Sequence, residues 1–166
     1  MVLTLTNKSL NLRPIQDEDL VVLNEIYGST REEELKQLQD WSNEQKQSFL
    51  AQQFLAQHIY YQKSYVGGAF YMIEKNKENI GRLYIHENFQ ENCVRIIDIA
   101  LLPKWQKQGI GKSILEDILQ KAKEIDRPVT IHVESFNPAK HLYERLGFKK
   151  ISETNGVYHL MEWRVG

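Results

Sequence analysis

Arg95-Ile96-Ile97-Asp98-Ile99-Ala100-Leu101-Leu102-Pro103-Lys104-Trp105-Gln106-Lys107-Gln108-Gly109-Ile110-Gly111-Lys112 is the stretch that decides the fold of this chain. Its first part is an apolar strand that meets Pro103. A turn over 106–111 comes next, and then a long amphipathic helix begins. A strand that opens through a glycine-bearing turn into a helix start presents outward-pointing N–H groups, and the helix dipole favours negative charge there. Gly109 and Gly111 lack the Cβ atoms that would keep a phosphate at a distance. The stretch therefore predicts a pyrophosphate-bearing ligand. The N–H groups of Gln108, Gly109, Ile110, Gly111 and Lys112 would face it. Lys107 and Lys112 either add charge near the phosphates or serve solubility.

The glycine pair by itself is a weak signal, since a chain with nine glycines contains about 0.5 such pairs by chance. Two familiar phosphate motifs fail at named positions. A Walker A loop, G-x-x-x-x-G-K-[ST], fits Gly111-Lys112-Ser113 but finds Gln106 where its first glycine belongs. A dinucleotide fingerprint needs a third small residue where Ile114 stands.

The 166-residue length suits a single domain, 1–166, with a core of its own. Apolar residues make up 42% and charged residues 26%, ordinary for a soluble globular protein. A net charge of −1 gives no reason to expect a nucleic-acid partner. No apolar run approaches the roughly eighteen residues of a membrane span. Residues 1–12 lack the charged start and apolar middle of a secretory leader. The one cysteine, Cys93, has no internal disulfide partner, which points to a reducing cytoplasm. No Cys-His signature surrounds it, and it reads as a plain thiol at a strand start.

Residues 9–14 alternate Leu10 and Leu12 with polar neighbours and predict a first strand ended by Pro14. Asp17 is placed to cap a helix to about Tyr27, with Leu20, Val21, Leu23, Asn24 and Tyr27 at helical spacing and Gly28-Ser29-Thr30 as its break. Residues 31–61 are polar and helix-forming, interrupted near Asp40-Trp41-Ser42, with Phe49, Leu50, Phe54, Leu55 and Tyr61 as an apolar face. After Gly67-Gly68 the period changes: a strand over 69–74, a charged turn over 75–79 and a returning strand over 80–86. The strand over 95–102 is almost continuously apolar, which predicts burial on both faces. The next helix, about 109–125, puts Ile110, Ile114, Leu115, Ile118, Leu119, Ala122 and Ile125 on one side. A short strand covers 129–134. Asn137 then caps a helix with Pro138 at its first position and Gly147 at its end. Asn155-Gly156 between two strand-like runs is a hairpin signal. The order β-α-α-β-β-β-α-β-α-β-β predicts an α/β sandwich around a mixed central sheet.

Two blocks carry a family resemblance. The run Gln106-Lys107-Gln108-Gly109-Ile110-Gly111, after a strand ending Leu101-Leu102-Pro103, resembles the acetyl-CoA-binding signature Q-x-x-G-x-G of the GNAT superfamily of N-acetyltransferases. Downstream, Val133-Glu134-Ser135-Phe136-Asn137-Pro138-Ala139 and Leu142-Tyr143-Glu144-Arg145-Leu146-Gly147-Phe148 resemble the family's Asn...Leu-Tyr-x-x-x-Gly-Phe segment. The blocks stand in the family's order, one helix and one strand apart. The resemblance implies an α+β fold: a GNAT-like three-layer α/β/α sandwich with a mixed, mostly antiparallel sheet of about seven strands and four or five helices. It also implies a splay between two central strands where the cofactor enters. Acetyl-CoA is the implied co-substrate, with no metal. By the same resemblance the pantetheine arm would pair with main-chain groups of Ile99, Ala100, Leu101 and Leu102. The turn residues Gln106, Lys107, Gln108, Gly109, Ile110, Gly111 and Lys112 would hold the pyrophosphate, and Asn137 and Tyr143 would add contacts. One spacing departs from the pattern: Asn137 stands six residues before Tyr143, where many members show seven.

Acetyl transfer to an amine needs a gripped cofactor, a neutral amine, a stabilised oxyanion and a proton for the departing thiolate. An alkyl amine of pKa about 10.4 is neutral in about one molecule per thousand at pH 7, a deficit of roughly 4–5 kcal/mol. Asp98, His132 and Glu134 are the candidate bases. His132 and Glu134 share one strand face, and His has the better-matched pKa. Burial should raise the pKa of Asp98 if it is unpaired. Each also reads as a structural hydrogen-bond former or a surface residue, and a relayed water is a further option. By family analogy a backbone N–H near Leu101 or Leu102 meets the oxyanion, and Tyr143 protonates the thiolate. Spacing alone places Tyr143 with Ala139, Leu142 and Leu146 on one helix face, as a core tyrosine.

The expected function is N-acetyl transfer from acetyl-CoA to a primary amine, on a small molecule or a protein, by direct attack in a ternary complex. The alternative is a non-catalytic acyl-CoA sensor or interaction module, which needs the turn but no acid or base. A P-loop phosphotransferase is a third class, weakened at Gln106. The expected partner is a small-molecule or peptide amine, without nucleic acid or membrane, and a homodimer is left open. Glu32, Glu33 and Glu34 either attract a cationic amine or form a solvated helix face.

Overall fold

In the computed structural model, which describes residues 3–166, the strand-period and helix-period segments assemble around one sheet. Met1 and Val2, where the leader reading began, lie outside the described residues. In chain order the elements are β1 (Leu10–Pro14), α1 (Leu20–Ser29), α2 (Glu32–Lys36), α3 (Asn43–Ser64), β2 (Ala69–Lys75), β3 (Glu78–Phe89) and β4 (Cys93–Leu101). They continue with α4 (Ile110–Glu124), β5 (Val129–Glu134), α5 (Ala139–Arg145), β6 (Lys149–Thr154) and β7 (Tyr158–Trp163). The sheet order is β1-β2-β3-β4-β5-β7-β6. Only β4 and β5 run parallel; the other neighbours are antiparallel. One face is covered by α1 and α3, where Leu23, Ile26, Tyr27 and Phe54 pack on Met72 and Tyr84. The other is covered by α4 and α5, which pack on Leu83, Val94, Ile96, Val129 and Ile131. The expected three-layer α/β/α sandwich is thus present, with seven strands and five α-helices among the described residues.

The apolar stripe on the helix after the turn is the face that α4 buries: Ile110, Ile114, Leu115, Ile118, Leu119 and Ala122 are all buried, and Ile125 packs at the edge. Each large side chain contributes roughly 1.5–3 kcal/mol on burial, so the start of α4 is firmly seated on the sheet. Asp117 is buried on the same helix. It accepts from Thr6 N at 3.0 Å and from Thr6 Oγ1 at 3.4 Å, which ties the segment before β1 to α4.

The irregularity that creates the site lies in β4. Tyr84 is paired with Asp98, but Ile85 is paired with Ile96, so Ile97 is an extra residue. Such a bulge bends its strand and sharpens its twist. It also reverses the alternation of side chains. Val94 and Ile96 face α4 before the bulge, and Ile99 and Leu101 face it afterwards, with Ile97, Ala100 and Leu102 on the α1–α3 side. β4 leaves β5 at this point, since their pairing covers only Val94, Arg95 and Ile96 against Val129, Thr130 and Ile131. Burial follows the same division. Residues Cys93 to Ile96 are buried, whereas Ile97, Asp98, Ile99, Ala100 and Leu101 are half-buried. Two-faced burial of this strand is therefore corrected for its second half, which lines an opening in the sheet.

Main-chain direction is set here too. Leu102 N donates to Ile80 O at 2.9 Å, and Leu101 lies opposite Gly81. In an antiparallel pair the main-chain groups alternate in direction. Those of Ala100 and Leu102 consequently face β3, and those of Ile99 and Leu101 face the opening.

Smaller departures have local causes. The β2–β3 connection is shorter than the charged turn over 75–79: only Asn76 (φ 50°) and Lys77 (φ 70°) separate the strands. Positive φ at both central residues matches the twist of the flanking strands. Asn155 (φ 54°) and Gly156 (φ 66°) make the expected turn between β6 and β7. At the start of α1, Asp19 rather than Asp17 closes the turn. Its Oδ2 accepts from Gln16 N at 2.7 Å, and its two oxygens pair with Arg13 at 2.8 and 2.9 Å. Asn137 caps α5 as expected, with Oδ1 accepting from Ala139 N at 2.9 Å.

Candidate active site

The open edge of β4 leads directly into the glycine turn. Past Leu102 the chain makes a short 3-10 turn, Pro103–Trp105. Two side-chain amides fix the next few residues: Gln106 Nε2 donates to Leu101 O and Gln108 Nε2 to Lys104 O, both at 2.8 Å. Gln106, read from the motif as a cofactor contact, thus has its amide group engaged in holding the turn to the end of β4. Lys107 (φ 60°) and Gly109 (φ 81°) adopt left-handed backbone conformations. A side chain at Gly109 would be strained by its φ, yet no atom lies within 4 Å of where its Cβ would stand. The space before the turn is therefore clear. The N–H groups of Ile110, Gly111 and Lys112 precede the first hydrogen bond of α4, from Ser113 N to Gly109 O at 3.0 Å. The side chain of Ile110 is in the core, so only its amide belongs to the turn. Lys107 and Lys112 have no ion-pair partner among the described residues. Open space, free amides and unpaired cations fit a pyrophosphate, and the edge of β4 fits an extended arm carrying amides.

On the α1–α3 side the opening widens into a cleft of about 570 Å3. Its floor comes from Ile97, Asp98, Ile99 and Ala100 of β4 and from Ile131, His132, Val133 and Glu134 of β5. Gln57 and Tyr61, four residues apart on one face of α3, and Tyr65, just past its end, supply one wall. Arg31, between α1 and α2, and Tyr158 of β7 stand at other sides.

The three candidate bases all line this cleft, but their surroundings differ. Asp98 Oδ2 accepts from Arg82 Nε at 2.6 Å. Arg82 is 3% exposed, donates Nη2 to Gln57 Oε1 at 2.8 Å and lies 4.9 Å from the Tyr84 ring centre. Burial opposes the guanidinium charge; Asp98, with Tyr84 and Tyr61, outweighs it and raises the Arg82 pKa. The unpaired Asp98 considered from the sequence is corrected, because the bulge brings the carboxylate beside an arginine on the next strand. Glu134 Oε1 meets Arg31 Nη1 at 3.4 Å. His132 has no hydrogen bond or ion pair among the described residues. The residue is exposed to the cleft, and partial desolvation by the cleft walls, then the charge of Arg95, lowers its imidazole pKa below the usual 6.5. It is therefore neutral at pH 7 and able to accept a proton.

Tyr143 is 5% exposed and its ring packs on Phe148, with centroids 5.7 Å apart. It is both a core residue and part of the cleft lining, so the two sequence readings of this tyrosine are compatible. Its hydroxyl has no hydrogen-bond partner among the described residues. Burial and then Asp98 raise its pKa, which keeps the phenol protonated at neutral pH. Asn137 also lines the cleft, with Oδ1 committed to the α5 cap.

Sequence reasoning did not mark Arg31, Arg82, Gln57, Tyr60 or Tyr65, and it placed Tyr61 only on an apolar helix face. Arg82 had a signal, a charge inside the apolar run Ile80-Gly81-Arg82-Leu83-Tyr84. The α3 tyrosines had none that separates a cleft wall from a core face. Glu33 pairs with Lys36 and Glu34 with Arg31 on the surface of α2, the solvated-face arrangement. Cys93 is buried against Thr130 and Phe89. Among the described residues no three His, Cys, Asp or Glu side chains gather as a metal site, and no helix is long and apolar enough to cross a membrane.

The sheet opens where β4 leaves β5, with the glycine turn and the start of α4 at one end of the open edge and the polar cleft beside it. Solved structures share the fold. The PaiA N-acetyltransferase of Thermoplasma acidophilum, in complex with coenzyme A, aligns with a TM-score of 0.65 over 95% of this chain and 99% of that one, at 21% identity. A GNAT family acetyltransferase of Elizabethkingia anophelis with acetyl-CoA bound aligns at 0.58 over 96% and 100%, at 18% identity. By sequence, the chain is 31% identical to the uncharacterized N-acetyltransferase CgeE of Bacillus subtilis over 80 residues, 48% of this chain. It is 29% identical to a ribosomal protein bS18-alanine N-acetyltransferase of Haemophilus influenzae over 97 residues, 49% of this chain. The matches span 30% and 66% of the length of those two relatives. The model of the acetyltransferase (GNAT) family matches residues 33–148, and the chain belongs to that family.

Proposed function

We propose that the protein is a single-domain, cytoplasmic N-acetyltransferase that moves the acetyl group of acetyl-CoA to a primary amine by direct attack in a ternary complex. The carrying observation is the open edge of β4, which joins the glycine turn at one end to His132 and Tyr143 at the other. The free, buried Cys93 supports the compartment. Acetyl-CoA, when bound, supplies an activated thioester. Ile99 offers its outward main-chain groups to the pantetheine arm, since Leu101 O is held by Gln106 Nε2, and the turn holds the pyrophosphate. The Leu101 N–H faces the charge that develops on the carbonyl oxygen, since the Leu102 N–H is engaged by Ile80 O. His132 takes a proton from the acceptor amine as the C–N bond forms. Tyr143 gives its proton to the sulfur as the C–S bond breaks. Asp98 and Glu134 act through the arginines they hold.

Thiol release tests this reading. Free CoA should appear only when an amine acceptor is present, and Gly109→Val should weaken acetyl-CoA binding in calorimetry by about tenfold or more, roughly 1.4 kcal/mol. Unchanged affinity would put the ligand elsewhere; tight binding without turnover for any amine would make the protein a sensor.

The pH profile tests His132 separately. A lowered pKa means that the imidazole takes up its proton only on the acid side of 6.5. kcat/KM should therefore hold through pH 7 and fall as pH drops through that lowered value. His132→Gln should reduce the rate and abolish this acid limb. A limb that survives the substitution belongs to another group.

A further inference from the structure

We infer that the acceptor carries a carboxylate beside its amine, in the manner of an α-amino acid, and that Arg31 selects it. This rests on the cleft being the acceptor site. Two basic and two acidic side chains line the cleft among the described residues: Arg31 and Arg82, and Asp98 and Glu134. These four charges balance within the lining, and Glu34, just outside it, is a second carboxylate on Arg31.

The two ion pairs are not equivalent. Arg82 is sealed in the floor, with Nε on Asp98 and Nη2 on Gln57. Arg31 stands at the lip, its side chain 23% exposed and 5.4 Å from the Tyr27 ring centre. One nitrogen, Nη1, serves both of its acidic neighbours, Glu34 at 2.9 Å and Glu134 at 3.4 Å. The Nε–Nη2 edge meets no carboxylate, although the guanidinium also has a side-chain hydrogen bond to Tyr27. That edge is the planar fork which binds a carboxylate through two parallel hydrogen bonds, and partial burial strengthens the contact relative to open water.

A guanidinium in an amine site also needs a reason to be there, because it repels an ammonium. An acceptor with its own anion removes the conflict. The nearby cation then helps further, since it favours the neutral, nucleophilic form of the amine. Glu34, Glu134 and Tyr27 hold the arginine at the lip until the substrate carboxylate engages the edge that meets no acid.

Matched acceptors decide the matter. Acetyl transfer is measured for several α-amino acids, their carboxamides and the corresponding amines without the carboxyl group, alongside spermidine. The enzymes are wild type, Arg31→Gln and Arg31→Lys, and acetyl-CoA affinity is measured for each by calorimetry. The expected wild-type kcat/KM favours acid over carboxamide by about tenfold or more. That ratio should approach one in Arg31→Gln and be intermediate in Arg31→Lys, which keeps the charge but loses the fork. A wild-type ratio near one, a preference for spermidine, or a ratio that Arg31→Gln does not move overturns the assignment. So does the absence of carboxylate-dependent turnover across the panel while acetyl-CoA still binds. Failure of the wild type to bind acetyl-CoA is a different result, and it removes the underlying acetyltransferase reading as well.

Discussion

Tyr143→Phe is expected to lower kcat by about 10²–10³-fold while leaving acetyl-CoA affinity nearly unchanged. The substitution removes one oxygen and keeps the ring against Phe148. The hydroxyl has no protein partner among the described residues, so its loss orphans no buried donor or acceptor and should leave the melting temperature in place. What disappears is a proton source. Burial and the Asp98 charge raise the phenol pKa above its ordinary value, so Tyr143 is a protonated donor throughout the physiological range. No alkaline loss of activity near neutrality should arise from it. Without it the C–S bond must break to a bare thiolate. Steady-state kinetics and calorimetry on one preparation separate the two effects. A wild-type kcat would reduce Tyr143 to a packing residue, and an equal loss in affinity would make it a binding residue.

The parts of the molecule that were legible in the sequence are those governed by local chemistry. The buried face of α4 comes from period alone, and the cap at Asn137 and the turn at Asn155-Gly156 come from side-chain and φ preferences. The turn from Gln106 to Lys112 was readable for the same reason, since glycines before a helix start are a local device. The bulge at Ile97 was not readable. Ile96 and Ile97 are identical apolar neighbours, so nothing marks where the alternation changes phase, and the run looks like a strand buried on both faces. That one residue causes the splay, directs the Ile99 and Leu101 main chain outward and sets Asp98 beside Arg82. The acceptor side was hidden for a second reason. Arg31, Tyr61 and Tyr65 share a cleft with His132 and Glu134 only because distant segments come together, and helical spacing does not distinguish a cleft wall from a core face.

Arg82→Met is expected to lower stability by about 3–5 kcal/mol, toward the lower end of the range for a broken buried ion pair. Methionine fills much of the volume but leaves the Asp98 carboxylate without its cation, beside Tyr84 and Tyr61, and removes the donor that Gln57 uses. The Asp98 side chain is 28% exposed, so cleft water offsets part of the loss. Adding Asp98→Asn removes the stranded charge, and the double variant should regain most of the stability. Denaturant melts on both single variants and the double variant give the coupling directly. Additive losses would mean that the pair does not hold the bent half of β4 to β3.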